Sequence, residues 1–199
     1  MKLHSLLAGI FISGVLFANA LSQTASQESA IAAIKRLGGT VESDPQLPGN
    51  PVIKVDLHGT NINDADLISL RNFPELRYLD VRLTKIGDNG VAHLGGLTRL
   101  QFLNVFRTQM SDEGLRKLSG LTELETLLMG GTKISDQGLA QLKSLTKLRK
   151  ISVFDTQISD DAIGHFKVLP NLEILLIGKS AITEEAMKRD LPKVRFSEP

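Results

Sequence analysis

Apolar positions recur along the chain at a fixed interval of 24 residues. Leu76, Leu100, Leu124, Leu148 and Leu172 keep that spacing, and so do Leu79, Leu103, Leu127, Ile151 and Leu175. Val81, Val105, Met129, Val153 and Ile177 follow it, as do Ile86, Met110, Ile134, Ile158 and Ile182. An earlier copy reads Val52, Val55, Leu57, Thr60, Ile62, Asp64. A period in this range is the mark of a solenoid. Within the copy Leu76–Leu97, apolar and polar residues alternate from Leu79 to Val81, which predicts a short strand. Leu79 and Val81 should point into the core, and Tyr78, Asp80 and Arg82 to the opposite, open face. After a turn at Thr84 and the inward Ile86, Val91 and Leu94 lie three apart, on one face of a short helix.

The helix starts carry their own signal. Ser111-Asp112, Ser135-Asp136, Ser159-Asp160 and Thr183-Glu184 set a hydroxyl beside an acid. The hydroxyl is expected at the N-cap, with the Asp as the alternative, and the acid is expected to meet the positive end of the helix dipole. Gly90, Gly114 and Gly138, then Ala162 and Ala186, follow in the first turn. Glycine costs roughly 1 kcal/mol against alanine inside a helix, so its recurrence there predicts close backbone packing. One strand and one short helix cannot bury their own apolar face; stacked in register, the copies share a continuous core.

The pattern LxxLxxLxVxxTxISDxGLxxL resembles the leucine-rich repeat family, and within it the 24-residue bacterial and F-box-associated repeats. The ribonuclease-inhibitor type is a longer relative. The resemblance covers Val52 to about Lys193 and implies an α/β solenoid: six strand–turn–short-helix units, a parallel sheet on the concave face, and helices outside. One position departs from the family. The ladder residue, usually Asn or Cys, is Thr60, Thr84, Thr108, Thr132, Thr156 and Ser180, whose hydroxyls can still bond a neighbouring backbone group.

The flanking segments divide the rest of the chain. Met1–Ala20 reads as a secretory signal, with Lys2 at the start, an apolar run from Leu6 to Phe17, and Ala18-Asn19-Ala20 as a cleavage site. Residues 21–27 read as a flexible linker. Residues 28–51 read as an N-terminal cap: a helix with Ile31, Ile34 and Leu37 on one face, an edge strand at Thr40-Val41-Glu42, and the turn-rich Asp44–Pro51. Repeats fill 52–193, and 194–199 form a C-terminal cap strand and tail. Removing Met1–Ala20 takes one base from 23 and no acid from 22, leaving 22 of each. A neutral chain without a basic run offers no footprint for nucleic acid or acidic lipid, and no membrane insertion is expected after cleavage. The absence of cysteine removes disulfides, thiol catalysis and the main soft metal ligands. No cofactor or metal is expected, and export to the periplasm or beyond is.

The open face can be read column by column. Lys54, Tyr78, Phe102, Thr126, Lys150 and Ile174 form one column, and Asp56, Asp80, Asn104, Leu128, Ser152 and Leu176 the next. A third holds His58, Arg82, Phe106, Gly130, Phe154 and Gly178, with Leu83, Arg107, Asp155 and Lys179 beside it. An exposed apolar patch rimmed by charge marks a partner surface. Tyr78, Arg82, Phe102, Phe106, Arg107, Leu128, Lys150 and Phe154 are therefore the expected contact residues for a protein partner of unknown identity. Self-association through the same strip is the second reading. The strip measures roughly 350 Å² from strand spacing and rise, below the ~800 Å² per partner of a standard interface, so loops would have to contribute. A polar corner, Asp56, His58 and Asp80, is the remote candidate for acid–base chemistry; neutralisation by Lys54 and Arg82 is the plainer reading. His93 and His165 read as surface residues. No nucleophile elbow, phosphate loop or paired-cysteine motif is present, and a non-enzymatic scaffold is expected.

Overall fold

The computed structural model describes residues 25–197. The secretory-signal reading of Met1–Ala20 lies outside the described residues. Eight strands form one sheet in chain order: β1 Thr40–Ser43, β2 Val52–Asp56, β3 Tyr78–Asp80, β4 Phe102–Asn104, β5 Thr126–Leu128, β6 Lys150–Ser152, β7 Ile174–Leu176 and β8 Arg195–Ser197. β1 pairs antiparallel with β2, and every later pair is parallel. The register advances by one repeat at each step, Lys54 to Tyr78 to Phe102 to Thr126 to Lys150 to Ile174. The last step is shorter, because Ile174 pairs with Arg195, 21 positions on. Backbone pairing also outruns the strands: Val81 N–H donates to Asn104 O at 2.9 Å and Leu83 N–H to Phe106 O at 2.9 Å.

This register superposes the leucines. Leu76, Leu79, Val81, Ile86, Val91 and Leu94 of one copy are fully buried, as are Leu100, Leu103, Val105 and Met110 of the next. One cluster runs from Ala30 and Ile34 to Leu191. The ladder hydroxyls stay within their own repeat: Thr84 donates to Val81 O at 2.6 Å, Thr108 to Val105 O at 2.8 Å and Ser180 to Ile177 O at 2.5 Å. Each closes the turn that follows the strand, which is why a hydroxyl can replace the family's usual Asn or Cys.

The segments opposite the sheet are short, and several are 3-10 rather than α. Asp64–Asn72, Ala92–Leu94, Gly138–Ser144 and Asp160–Ala162 are 3-10. Asp88–Val91, Asp112–Lys117, Ile163–Lys167 and Glu184–Asp190 are α-helical. Pieces of a few residues tighten readily to the i→i+3 pattern. At the N-terminal end a helix spans 25–36, so it begins inside the stretch 21–27 that reads as linker. Ser26 Oγ donates to Asn72 Oδ1 at 2.5 Å, which ties that first turn to the first repeat.

The hydroxyl, not the acid, is the N-cap at Ser111, Ser159 and Thr183, whereas in the Ser135 copy the helical segment starts later, with Gln137 at the N-cap and no side chain capping it. Ser111 Oγ accepts from Glu113 N at 3.3 Å, and Thr183 Oγ1 from Ala186 N at 3.2 Å. The acid reaches into the next copy instead of serving its own helix. Asp88 Oδ1 accepts from Ser111 N at 2.8 Å and Gly114 N at 3.0 Å, and its Oδ2 accepts from Ser111 Oγ at 2.6 Å. Asp112 holds Ser135 and Asp136 holds Ser159 through N–H and hydroxyl, while Asp160 holds Thr183. The glycines follow from this bridge. A Cβ on Gly90 would lie 2.5 Å from Asp64 Oδ1, and one on Gly114 would lie 2.5 Å from Asp88 Oδ1. In the sixth copy Glu184 stands at the Asp position, and it turns to Lys188 at 2.9 Å.

Gly114→Ala is expected to destabilise the fold by roughly 1–3 kcal/mol through overpacking against Asp88. In an Asp88→Ala background the same change should cost less, because the obstacle is gone and alanine is the better helix former. A double-mutant cycle by denaturant unfolding checks this; additive costs would contradict the bridge.

Candidate functional site

The sheet's outer face carries two ring pairs, not one continuous strip. β3 and β4 run in register, which sets Tyr78 against Phe102 with centroids 4.2 Å apart and planes 6° from parallel. Lys54 Nζ stands 5.3 Å from the Tyr78 centroid and is held by Glu42 at 3.0 Å. That hydrogen bond raises the Lys54 pKa. Burial, together with the Asp80 and Asp56 charges, raises that of the Tyr78 phenol. The second pair, Phe106 and Phe154, comes from alternate repeats, with centroids 6.2 Å apart and planes at 29°. Gly130 lies between them. A Cβ there would come within 2.7 Å of Phe154 O and 3.1 Å of the Phe106 ring, so only glycine lets the rings converge.

Arg107 lies 5.2 Å over Phe106 and 4.0 Å from Asp155. Its backbone is left-handed (φ 52°), as it is at Leu83, Asp155 and Lys179 and at Gly59 and Gly131. All six share one repeat position. Left-handed backbone is uncommon for residues other than glycine, and here it re-aims the side chain beside the ring column. Leu128 and Lys150, on neighbouring strands, are half-buried.

The middle column differs from its sequence expectation. Asp80, Asn104 and Ser152 do not stand on an open face; they are buried, Asp80 to 1% exposure. The strip is only three residues wide, so short polar side chains sink between the longer ones on either side. Each acceptor at the strand end takes the N–H two residues on, as in an Asx turn: Asp56 from His58 at 3.0 Å, Asp80 from Arg82 at 3.0 Å and Asn104 from Phe106 at 3.1 Å. Asp80 Oδ2 also accepts from Asn104 Nδ2 at 3.1 Å and faces Arg82 Nη1 at 3.3 Å.

These bonds define the Asp56/His58/Asp80 corner. Asp80 is committed to three donors. Asp56 is only partly covered, and its Oδ1 lies 2.7 Å from His58 Nδ1. Burial pushes the Asp56 carboxyl up, but the His58 N–H, the imidazole and the Arg82 charge outweigh it and leave the pKa below the ordinary carboxylate value. Among the described residues no group of three His, Asp or Glu side chains could hold a metal ion. His93 and His165 are both partly exposed at the surface, and His93 Nδ1 lies 2.9 Å from Arg71 Nη2.

Lys179 and Leu83, read from sequence as lying beside the third column but not among the expected contact residues, belong to the face as well: Lys179 stands 5.5 Å over Phe154, and Leu83 is half exposed at the repeat position of Arg107. Gly59 and Gly131 were the available signal for both, since a glycine recurring at their repeat position points to a left-handed backbone.

The leucine-rich repeat family model matches residues 74–95 and 97–119, the second and third copies. Among solved structures, an internalin from Listeria monocytogenes aligns over 85% of this chain and 54% of its own, at 18% identity and a TM-score of 0.56. The chain thus spans about half the length of that structure. No curated protein sequence matches it. With the repeat spacing, the in-register sheet and the continuous leucine core, these matches define the fold: a leucine-rich repeat solenoid, two of whose copies the family model matches.

Two substitutions check the geometry of the face. Gly130→Ala should destabilise by roughly 1–3 kcal/mol and part the Phe106 and Phe154 rings, seen as weakened contacts between them by NMR. His58→Ala should raise the Asp56 titration midpoint toward its ordinary value. Because that midpoint is depressed in the fold, the stability it confers is present above the unfolded value and is lost as pH falls through the folded one.

Proposed function

We propose that this chain is an exported, non-enzymatic scaffold that holds a protein partner against the outer face of its sheet. The observation that carries the reading is the pair of ring clusters. Tyr78, Phe102, Phe106 and Phe154 are half-buried on the outer face of the sheet, where only one another and the cations Lys54, Arg107 and Lys179 lie against their rings among the described residues. Leucine-rich repeat proteins generally act in protein–protein recognition, and that class fits an apolar patch rimmed by Arg82, Arg107 and Lys150. The ladder beneath is bonded through backbone and buried hydroxyls, so the rings can be exchanged without touching what holds the repeats together. Export rests on the Met1–Ala20 signal reading. No helix among the described residues is long and apolar enough to cross a membrane.

Self-association is the second reading. It would use the same ring-bearing strip, and among the described residues the outer strands β1 and β8 each have one neighbour in the sheet, so a second copy could also add at an edge.

Replacing Phe102, Phe106 and Phe154 together by Ser should leave the unfolding transition cooperative and the circular dichroism unchanged. Affinity capture with the chain as bait should then lose its partner, as identified by mass spectrometry. Retention of the partner by the triple variant would overturn the reading, and collapse of the fold would show that the rings are core. Sedimentation separates the second reading, since a strictly monomeric chain contradicts it.

A further inference from the structure

The four rings on the sheet face have little flat surface left to offer. Tyr78 and Phe102 cover one another, and Lys54 stands over the tyrosine. Phe106 lies under Arg107, Phe154 under Lys179, and the two phenylalanines lean together across Gly130. What stays open at the C-terminal half of the face is ring edge and aliphatic surface, chiefly Leu128 and Leu176, both half-buried.

Charge on this half is one-sided. Arg107 and Lys179 lie over the rings, and Lys150 stands at the start of β6, across the Leu128 column from them. Asp155 lies 4.0 Å from Arg107, at the limit of an ion pair, and no carboxylate of the described residues pairs with Lys150 or Lys179. The N-terminal half differs, because there Lys54 is matched by Glu42 and Arg82 by Asp80. The excess of positive charge therefore sits where the apolar surface is open.

Resting on the reading of the sheet as a partner surface, we propose that this half takes an acidic peptide segment of the partner that bears an aliphatic side chain. The carboxylates meet Arg107, Lys150 and Lys179, and the aliphatic group lies on Leu128 and the edges of Phe106 and Phe154. Single-stranded nucleic acid and carbohydrate are less well suited. Stacked bases need open ring faces, sugars lie flat on aromatic rings in the same way, and the faces here are taken by cations or by other rings.

Random short peptides displayed on phage, selected on the full chain, test this. The recovered sequences should be rich in Asp and Glu around Leu, Ile or Val. Their affinity should fall as salt rises and drop about tenfold or more in Arg107→Glu/Lys150→Glu/Lys179→Glu, a loss of about 1.4 kcal/mol or more. These side chains are exposed or half-exposed, so the variant should fold; unchanged circular dichroism is the control. Should it fail to fold, Lys150→Gln/Lys179→Gln gives the same comparison, with a smaller loss. Recovery of neutral or basic sequences, recovery of no sequence above background, or equal binding by wild type and variant would overturn the proposal. If peptides fail but the Phe102/Phe106/Phe154 triple variant still loses its captured partner, the sheet reading stands and only the acidic chemistry is wrong.

Discussion

No repeat of this chain is a folded object by itself. Its leucines face its neighbours on both flanks, and its strand has hydrogen-bond partners only in the copies before and after. The 24-residue translation is therefore the constraint from which everything else follows. It aligns Leu79 with Leu103 and Leu127, pairs the backbone in parallel, and stacks equivalent side chains into columns. The aspartates reinforce that translation with charge-assisted bonds. Each carboxylate holds the first turn of the following copy by an N–H and, where one is present, a hydroxyl, and such bonds are roughly twice as strong as neutral ones. Surface pairs between copies, such as Lys147–Glu123 and Arg149–Glu173, both at 2.7 Å, are exposed and add little.

Much of this was legible in the residue pattern, because a signal repeated six times averages away local ambiguity. The inward leucines, the hydroxyl ladder, the caps at Ser111, Ser159 and Thr183 and an edge strand at Thr40 could all be placed from spacing and residue type, though not the antiparallel direction of that strand. What escaped depends on distances between copies, which periodicity does not carry. Alternation puts Asp80 on the same side as Tyr78, and it is; alternation does not say that the longer neighbours close over it. The glycines at 90, 114 and 138 announced a close approach, but the carboxylate that makes it comes from the preceding copy. The acid beside each cap looked like a local helix partner because sequence adjacency suggests local contact.

The candidate site shows the same division. Phe106 and Phe154 were visible as face residues, yet they lie two copies apart, and their contact exists only because Gly130 stands in the copy between. The left-handed position, which Gly59 and Gly131 signal, places Arg107 and Lys179 over those rings, a contact that the glycines alone do not disclose. The face has accordingly two characters: a charge-matched end around Asp56 and Asp80, and a cationic, apolar end around Phe154. A partner gripping both would be held in one orientation.

The carboxylate bridges also have a direction. Asp64 waits for Gly87, Asp88 for Ser111 and Asp112 for Ser135, always from the earlier copy to the later. As the chain leaves the ribosome, each newly made turn thus meets an acceptor already in place, and the nascent protein can lengthen by adding one finished rung at a time. The two directions of truncation therefore differ: removing later copies leaves every remaining cap held, whereas removing earlier copies leaves one unheld.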